Sequence, residues 1–246
     1  GMIARSAADL HLSMPAVIAP DPRDPFHVPL PWRGDATASP VRVGFTKETY
    51  GFDLHPDVSK ALDVARDALV DAGHVVEEIT PPNIRDCGLT GYRALLGEVK
   101  VLMGPDIRAH GSPTIQAIFD EYFEQFPPYE GEELLRMMAQ RSHYSREWSL
   151  FLDRYPLVLL PPSGELPFAQ QRDVASEADF AAIMEAQLLQ RGLPALGLPA
   201  ICVATGESGG APLGVQMVAG RYREDVLLDA GAIIEAGCGT PVVADI

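Results

Sequence analysis

Gly206-Glu207-Ser208-Gly209-Gly210 has the Gly-x-Ser-x-Gly spacing that lifts a serine hydroxyl out of a strand–turn–helix elbow for attack on a carbonyl carbon. That chemistry needs a helix directly after the serine and a histidine base later in the chain. Here Ala211-Pro212-Leu213-Gly214-Val215-Gln216-Met217-Val218 brings a proline and then an apolar strand, and the last histidine is His143. The pentapeptide therefore reads as a flexible turn between two strands. Cys87, Cys202 and Cys238 are odd in number and far apart, which argues against a disulfide framework and against a closed zinc site. An independent hydrolase built on Cys87 or Cys202 with a histidine is the remaining nucleophilic alternative. His11, His27, His55, His74, His110 and His143 never fall at the short spacings of a metal motif, so neither a metal nor any other cofactor is expected. Glu77-Glu78, Glu132-Glu133 and the acidic residues of the last helix read as solvated faces rather than paired catalytic carboxylates.

Composition narrows the ligand class. The 246 residues, 47% hydrophobic and 22% charged, describe a globular chain long enough for one substantial core, so a single domain over 1–246 is expected. A net charge of −15 repels phosphate backbones and anionic headgroups alike. Nucleic acid and membrane surfaces are poor partners, and a small neutral or cationic ligand fits better. Arg5 and Asp9 interrupt any secretory leader, and no run approaches the ~20 apolar residues of a membrane span. With the thiols unpaired, a reducing cytoplasm is the expected compartment. Gly1 ahead of Met2 reads as a cloning remnant.

The elements that must position these groups can be read from periodicity. Ser6-Ala7-Ala8-Asp9 starts a short helix that Pro15 should disturb and Pro20 to Pro25 should end, followed by an irregular Pro/Gly-rich arm to Pro40. Val41–Phe45 is a strand. Pro56 and Asp57 suit a helix start, Val58, Ala61, Leu62, Ala65 and Leu69 share one face, Gly73 stops the helix, and Val75, Val76 and Ile79 form a second strand. The span 41–80 is thus a right-handed βαβ unit with parallel strands. From 84 to 155 the spacing predicts three helical stretches, broken at Gly104-Pro105, Gly111-Ser112-Pro113 and Pro127-Pro128. Met137, Tyr144, Trp148 and Phe151 form a stripe read as core packing. The span 156–246 holds a buried strand at Pro156–Pro162, a helix around Ser176–Gln190 and strands near Pro199–Ala204 and Leu213–Ala219. A closing helix runs from Arg223, turns Val226, Leu227, Ala230, Ile233 and Ile234 inward and stops at Gly237. The class is α/β, a mixed β-sheet flanked by helices.

Several of these segments together resemble the amidase signature family of serine amidohydrolases. Ile3-Ala4-Arg5-Ser6-Ala7-Ala8-Asp9-Leu10 is similar to the run that closes the signature region, and Asp21-Pro22-Arg23-Asp24-Pro25 follows at the expected place. Leu196-Gly197-Leu198-Pro199-Ala200, Pro212-Leu213-Gly214-Val215-Gln216-Met217 and Arg221-Tyr222-Arg223-Glu224-Asp225-Val226-Leu227-Leu228 resemble the C-terminal blocks in order and spacing. The resemblance implies a C-terminal portion of an incomplete amidase-signature-type fold, cleaving a small carboxamide in the complete enzyme. Family members work through a serine, a second serine in a cis peptide and a lysine, all in a Gly/Ser-rich segment. No residue here takes one of those roles by resemblance, Met2 stands where the family commonly has proline, and Lys47, Lys60 and Lys100 lie beside no Gly-Ser-Ser tract. The resemblance does place the Pro162-Ser163-Gly164 turn and Leu196 near the substrate cleft, as pocket lining. Catalytic incompetence alone, self-association as a homo-oligomer through uncovered sheet, and a non-catalytic role beside a partner chain are the expectations that follow.

Overall fold

The computed structural model describes residues 1–34 and 40–239; part of the Pro/Gly-rich arm, 35–39, lies outside the described residues. α1 (Ala7–Val17) begins at Ser6, whose Oγ accepts the Asp9 N–H at 3.1 Å. Pro15 does not break it: the helix runs two residues further, because the single N–H that proline lacks is lost in the last turn of a helix held elsewhere. The Glu235 carboxylate accepts the Ala7 N–H at 2.9 Å, anchoring the helix start where its dipole is positive.

β1 (Arg42–Phe45), α2 (Pro56–Asp71) and β2 (Val75–Glu78) form the expected βαβ unit, with Val43 opposite Val76 in a parallel register. The buried residues of α2 are the five read from its stripe, Val58, Ala61, Leu62, Ala65 and Leu69. The helical span then departs from expectation. Its three breaks separate four helices rather than three: α3 (Ile84–Leu102), α4 (Gly104–His110), α5 (Pro113–Gln125) and α6 (Gly131–Arg154). Gly104-Pro105 opens a helix of its own, since proline is at ease in a first turn.

β3 (Leu157–Leu160) is buried on both faces. After a 3-10 turn at Arg172–Val174, the helix expected over 176–190 divides into α7 (Glu177–Ala186) and α8 (Leu188–Leu196), with Gln187 outside both. β4 (Ala200–Ser208) and β5 (Ala211–Ala219) are longer than read, because Gly209 and Gly210, both at positive φ, make a two-residue hairpin turn that lets pairing run to its tip. α9 (Glu224–Cys238) passes Gly237 and ends at Gly239. Its acidic residues are not all a solvated face: Asp225 is buried and bound by Arg223 at 2.9 Å, and Glu235 holds α1.

The sheet has the order β2-β1-β3-β5-β4, parallel across its first three strands and antiparallel across the rest. Alternation along β3 sends Leu157 and Leu159 into a core with α2 and α9, and Val158 and Leu160 into a second core with α3, α6 and α8. Trp148 and Tyr144 are buried in the second core, as their stripe implied. Gly44 faces that side too; a Cβ there would stand 2.9 Å from Ile79, so only glycine admits the Ile79 and Tyr155 contacts. A satellite cluster of Leu96, Phe126, Phe180 and Met184 joins α3, α7 and the end of α5.

Candidate functional site

In an open parallel sheet, loops at the carboxyl ends of strands form a crevice where successive connections leave in opposite directions. β1 and β3 meet that description: the chain leaves β1 toward β2 on one side, while β3 lies on the other and continues the sheet toward β5. A cavity of about 510 Å³ opens at the same end of the sheet, between β1 and β2 rather than between β1 and β3, walled by Phe45–Thr49 and Glu78–Thr80. Thr46 is buried and its Oγ1 accepts the Glu48 N–H at 3.0 Å, which fixes the first turn of the loop.

Lys47 lies in this wall and its Nζ donates to Ser59 Oγ at 2.9 Å. A serine beside an amine invites comparison with a serine–lysine hydrolase, but the same Nζ is ion-paired with Asp63 at 2.7 Å. An ammonium held by a carboxylate and a hydroxyl offers donors and no lone pair. No cis peptide bond is found among the described residues.

The predicted Pro162-Ser163-Gly164 turn leaves the end of β3 beside the same loop. Gly164 is buried, its N–H donates to the Ala186 carbonyl at 2.7 Å, and its carbonyl accepts the His55 N–H at 2.8 Å. A Cβ at Gly164 would sit 2.8 Å from the Phe52 ring. Ser163 Oγ accepts the Glu165 N–H at 3.3 Å, and Pro162 is half-buried. Glu165 Oε1, next in the chain, is a buried acceptor without a partner among the described residues, as is Gln216 Oε1 within the sheet on the β5 residue opposite Leu160. Leu196 is apart from this group, its side chain packed in the second core and its carbonyl accepting from Arg221 Nη2 at 2.9 Å.

Other sequence candidates are accounted for structurally. Ser208 sits at the hairpin tip, as read, and donates its hydroxyl to Asp57 Oδ2 at the start of α2. His55 Nδ1 accepts the Asp57 N–H at 3.1 Å and caps that helix. Cys87 is fully buried and burial pushes its thiol up to about 12, which leaves almost no thiolate to attack anything near neutral pH. Glu77 is pinned by Arg42 at 2.6 Å and receives the Tyr155 hydroxyl at 3.0 Å, and these donors hold its carboxyl below the usual range. Among the described residues no group of three or more His, Cys, Asp or Glu is placed to hold a metal ion. No described helix is long and apolar enough to cross a membrane.

Sequence reasoning missed one group. Arg191 on α8 is buried beside a cavity of about 360 Å³ between α3 and α8, walled by Gly91, Tyr92, Leu95, Gln187 and Gln190. The signal was present: Arg191 falls three residues after Leu188 and five before Leu196, both core residues, on a helix whose apolar stripe it interrupts.

Known proteins share this arrangement. The chain is 30% identical over 240 residues to an indoleacetamide hydrolase of Bradyrhizobium japonicum, a match that covers 97% of this chain and 52% of that protein. It is 27% identical over 262 residues to a glutamyl-tRNA(Gln) amidotransferase subunit of Thermus thermophilus, covering 96% of this chain and 54% of the relative. Its fold superposes on a fatty acid amide hydrolase with a TM-score of 0.77 at 19% identity, over 96% of this chain and 47% of the other. The chain thus spans about half the length of the curated relatives it matches. The family profile described as Amidase covers residues 1–228, from α1 through the first turns of α9, and with the mixed sheet in place the chain belongs to the amidase signature family.

Proposed function

We propose that this chain is the C-terminal portion of a hydrolase of carboxamide C–N bonds, and that by itself it does not turn amides over. The observation that carries the reading is the Amidase profile over 1–228 combined with coverage of about half of each relative. Amide hydrolysis through a serine needs a nucleophile, a base within ~3 Å and donors for the oxyanion, acting as a unit. The described residues offer body and pocket wall instead. In the complete enzyme Pro162, Ser163 and Gly164 line the cleft, with Leu196 behind it. Identity to an indoleacetamide hydrolase supports an aryl-substituted acetamide as the substrate class.

The test is to incubate the purified chain with indole-3-acetamide, benzamide and an aliphatic amide, and separately with a fluorophosphonate probe. No turnover above background and no labelled serine are expected. Turnover, or labelling at one defined serine, overturns the claim of incompetence.

A second reading makes the chain a non-catalytic subunit of the cytoplasm that completes its sheet with a partner polypeptide or a second copy. It is favoured by β2 and β4, each paired on one side only among the described residues, and by the exposed apolar residues Ile3, Leu12, Val17 and Phe26 at the N-terminal end. Light scattering at micromolar concentration checks it, with association expected and a clean monomer counting against self-pairing. Activity restored on mixing with a chain that carries the Gly/Ser-rich half would favour the partner form.

A further inference from the structure

Arg191 is an expensive residue to hold where it stands. Its side chain is only 6% exposed, and Nε and Nη1 are shut off from solvent with no hydrogen-bond partner. Nη2 faces Glu185 Oε1 at 3.8 Å, too far for a hydrogen bond, while Glu185 Oε2 is taken by Arg85 at 2.6 Å. Two arginines therefore share one carboxylate, and the charge left over is the buried one. Burial pushes the guanidinium below its usual range, but a group this basic remains a cation near neutral pH. The rings of Tyr92 and Phe126 lie 5.8 and 5.1 Å from its central carbon, so aromatic contact supports the ion while its edge N–H donors stay unused.

We propose that the cavity between α3 and α8 binds a small organic monocarboxylate, with Arg191 taking the carboxylate and Tyr92 and Leu95 packing against an apolar body. Nη2 is the guanidinium nitrogen not sealed from solvent, so a carboxylate meets it first, and its second oxygen reaches the unpaired Nε or Nη1 of the adjoining edge as the wall adjusts. Gln187 and Gln190, in the same wall, add neutral amide donors. Arg141 and Arg221, at the C-terminal end of α8, donate to the Ala195 and Leu196 carbonyls and are already engaged. A lone cation among the described residues of a largely apolar hollow suits a single negative charge, whereas a phosphate calls for more donors than the wall provides. The volume, about 360 Å³, is of the size that holds a one-ring acid. Glycine at position 91 keeps the two helices close, since a Cβ there would stand 2.3 Å from that of Ala195. The proposal does not depend on whether the chain hydrolyses amides.

Calorimetric titration of the full chain with benzoate, and with acetophenone as its neutral isostere, tests this. Saturable benzoate binding, at least about tenfold tighter than acetophenone, is expected. Arg191→Met should abolish the difference and, without ligand, raise the melting temperature, which a purely structural arginine would not do. Arg191→Lys should weaken benzoate about tenfold by replacing the fork with a point charge. Glu185→Gln, on the surface, should tighten it by removing the competing carboxylate. The proposal fails if benzoate does not saturate the parent chain by about 10 mM, if acetophenone binds equally, or if inorganic phosphate binds more tightly than benzoate. It fails equally if benzoate affinity is unchanged in Arg191→Lys and Glu185→Gln, which keeps the test decisive should Arg191→Met not fold.

Discussion

The two sides of the sheet are built differently. On one side α2 and α9 cover β1, β3 and β5 with Val43, Phe45, Leu62, Leu69, Leu159, Met217 and Ile234, all within 2% of complete burial. On the other side the core is equally dry against the sheet, at Trp148, Val158 and Leu196, but it continues outward into the α3, α5, α7 and α8 layer. There burial takes in an arginine without hydrogen-bond partners and stops short of filling the space between two helices. The first side is what stability alone would select, since close-packed apolar side chains gain both transfer and dispersion energy. The second carries a buried charge that stability alone would remove, and such exceptions concentrate where a protein binds something.

Truncation should separate the sides most strongly. Leu159→Ala removes a fully buried side chain from the centre of the sheet, where strand neighbours on both sides prevent collapse, and should cost about 3–5 kcal/mol in urea unfolding. Leu96→Ala, in the satellite cluster, should cost about 2 kcal/mol, because helices can close over the gap more readily than strands. Equal losses would mean that the outer layer is as rigid a core as the inner one.

Arg191→Met should move in the opposite direction, stabilising the ligand-free chain by about 1–3 kcal/mol, because an apolar side chain of similar length replaces a desolvated ion. A loss of similar size would show instead that the ring contacts and the distant Glu185 outweigh the desolvation, and would make Arg191 a structural residue. Measured beside Leu96→Ala, it tells whether the outer layer resists change generally or is strained at one point.

The same contrast governs what the sequence made legible. The βαβ unit over 41–80 was readable to within a residue or two at its element ends, because β-branched strands, a Pro-Asp helix start and a five-member stripe agree on one structure. The outer layer was not. Nothing between Ser176 and Gln190 resembles a breaker, so the division at Gln187 could be set only by tertiary packing, which seats α8 on Gly88, Gly91 and Ile84 of α3. An arginine on an amphipathic helix is assigned to solvent by default, and only its place on the apolar stripe argued otherwise. The Pro162–Gly164 turn was legible as a turn from its residue types, whereas its neighbours Phe52, His55 and Ala186 come from chain far away and no local pattern announces them.

The smallest effect is a titration confined to the well-packed side. His74 is buried ahead of β2, its Nδ1 accepts the Val41 N–H at 3.2 Å, and burial holds its pKa below the ordinary 6.5. As pH falls through 6.5 the unfolded chain takes up a proton that the folded chain resists, so stability from this group is full above 6.5 and is lost below it. Glu77 titrates in a separate window: its folded carboxyl lies below 4.5, so its contribution persists above 4.5 and declines only under more acid conditions. Between pH 7 and about 5.5 the slope should therefore be reduced in His74→Asn, which keeps a neutral acceptor for the Val41 N–H. Arg191 stays charged throughout this range, so the difference in stability between the parent chain and Arg191→Met should be the same at both ends. A pH-dependent difference would mean that a group beside the α3–α8 cavity titrates with it, and the division between a titrating inner side and a fixed outer charge would no longer hold.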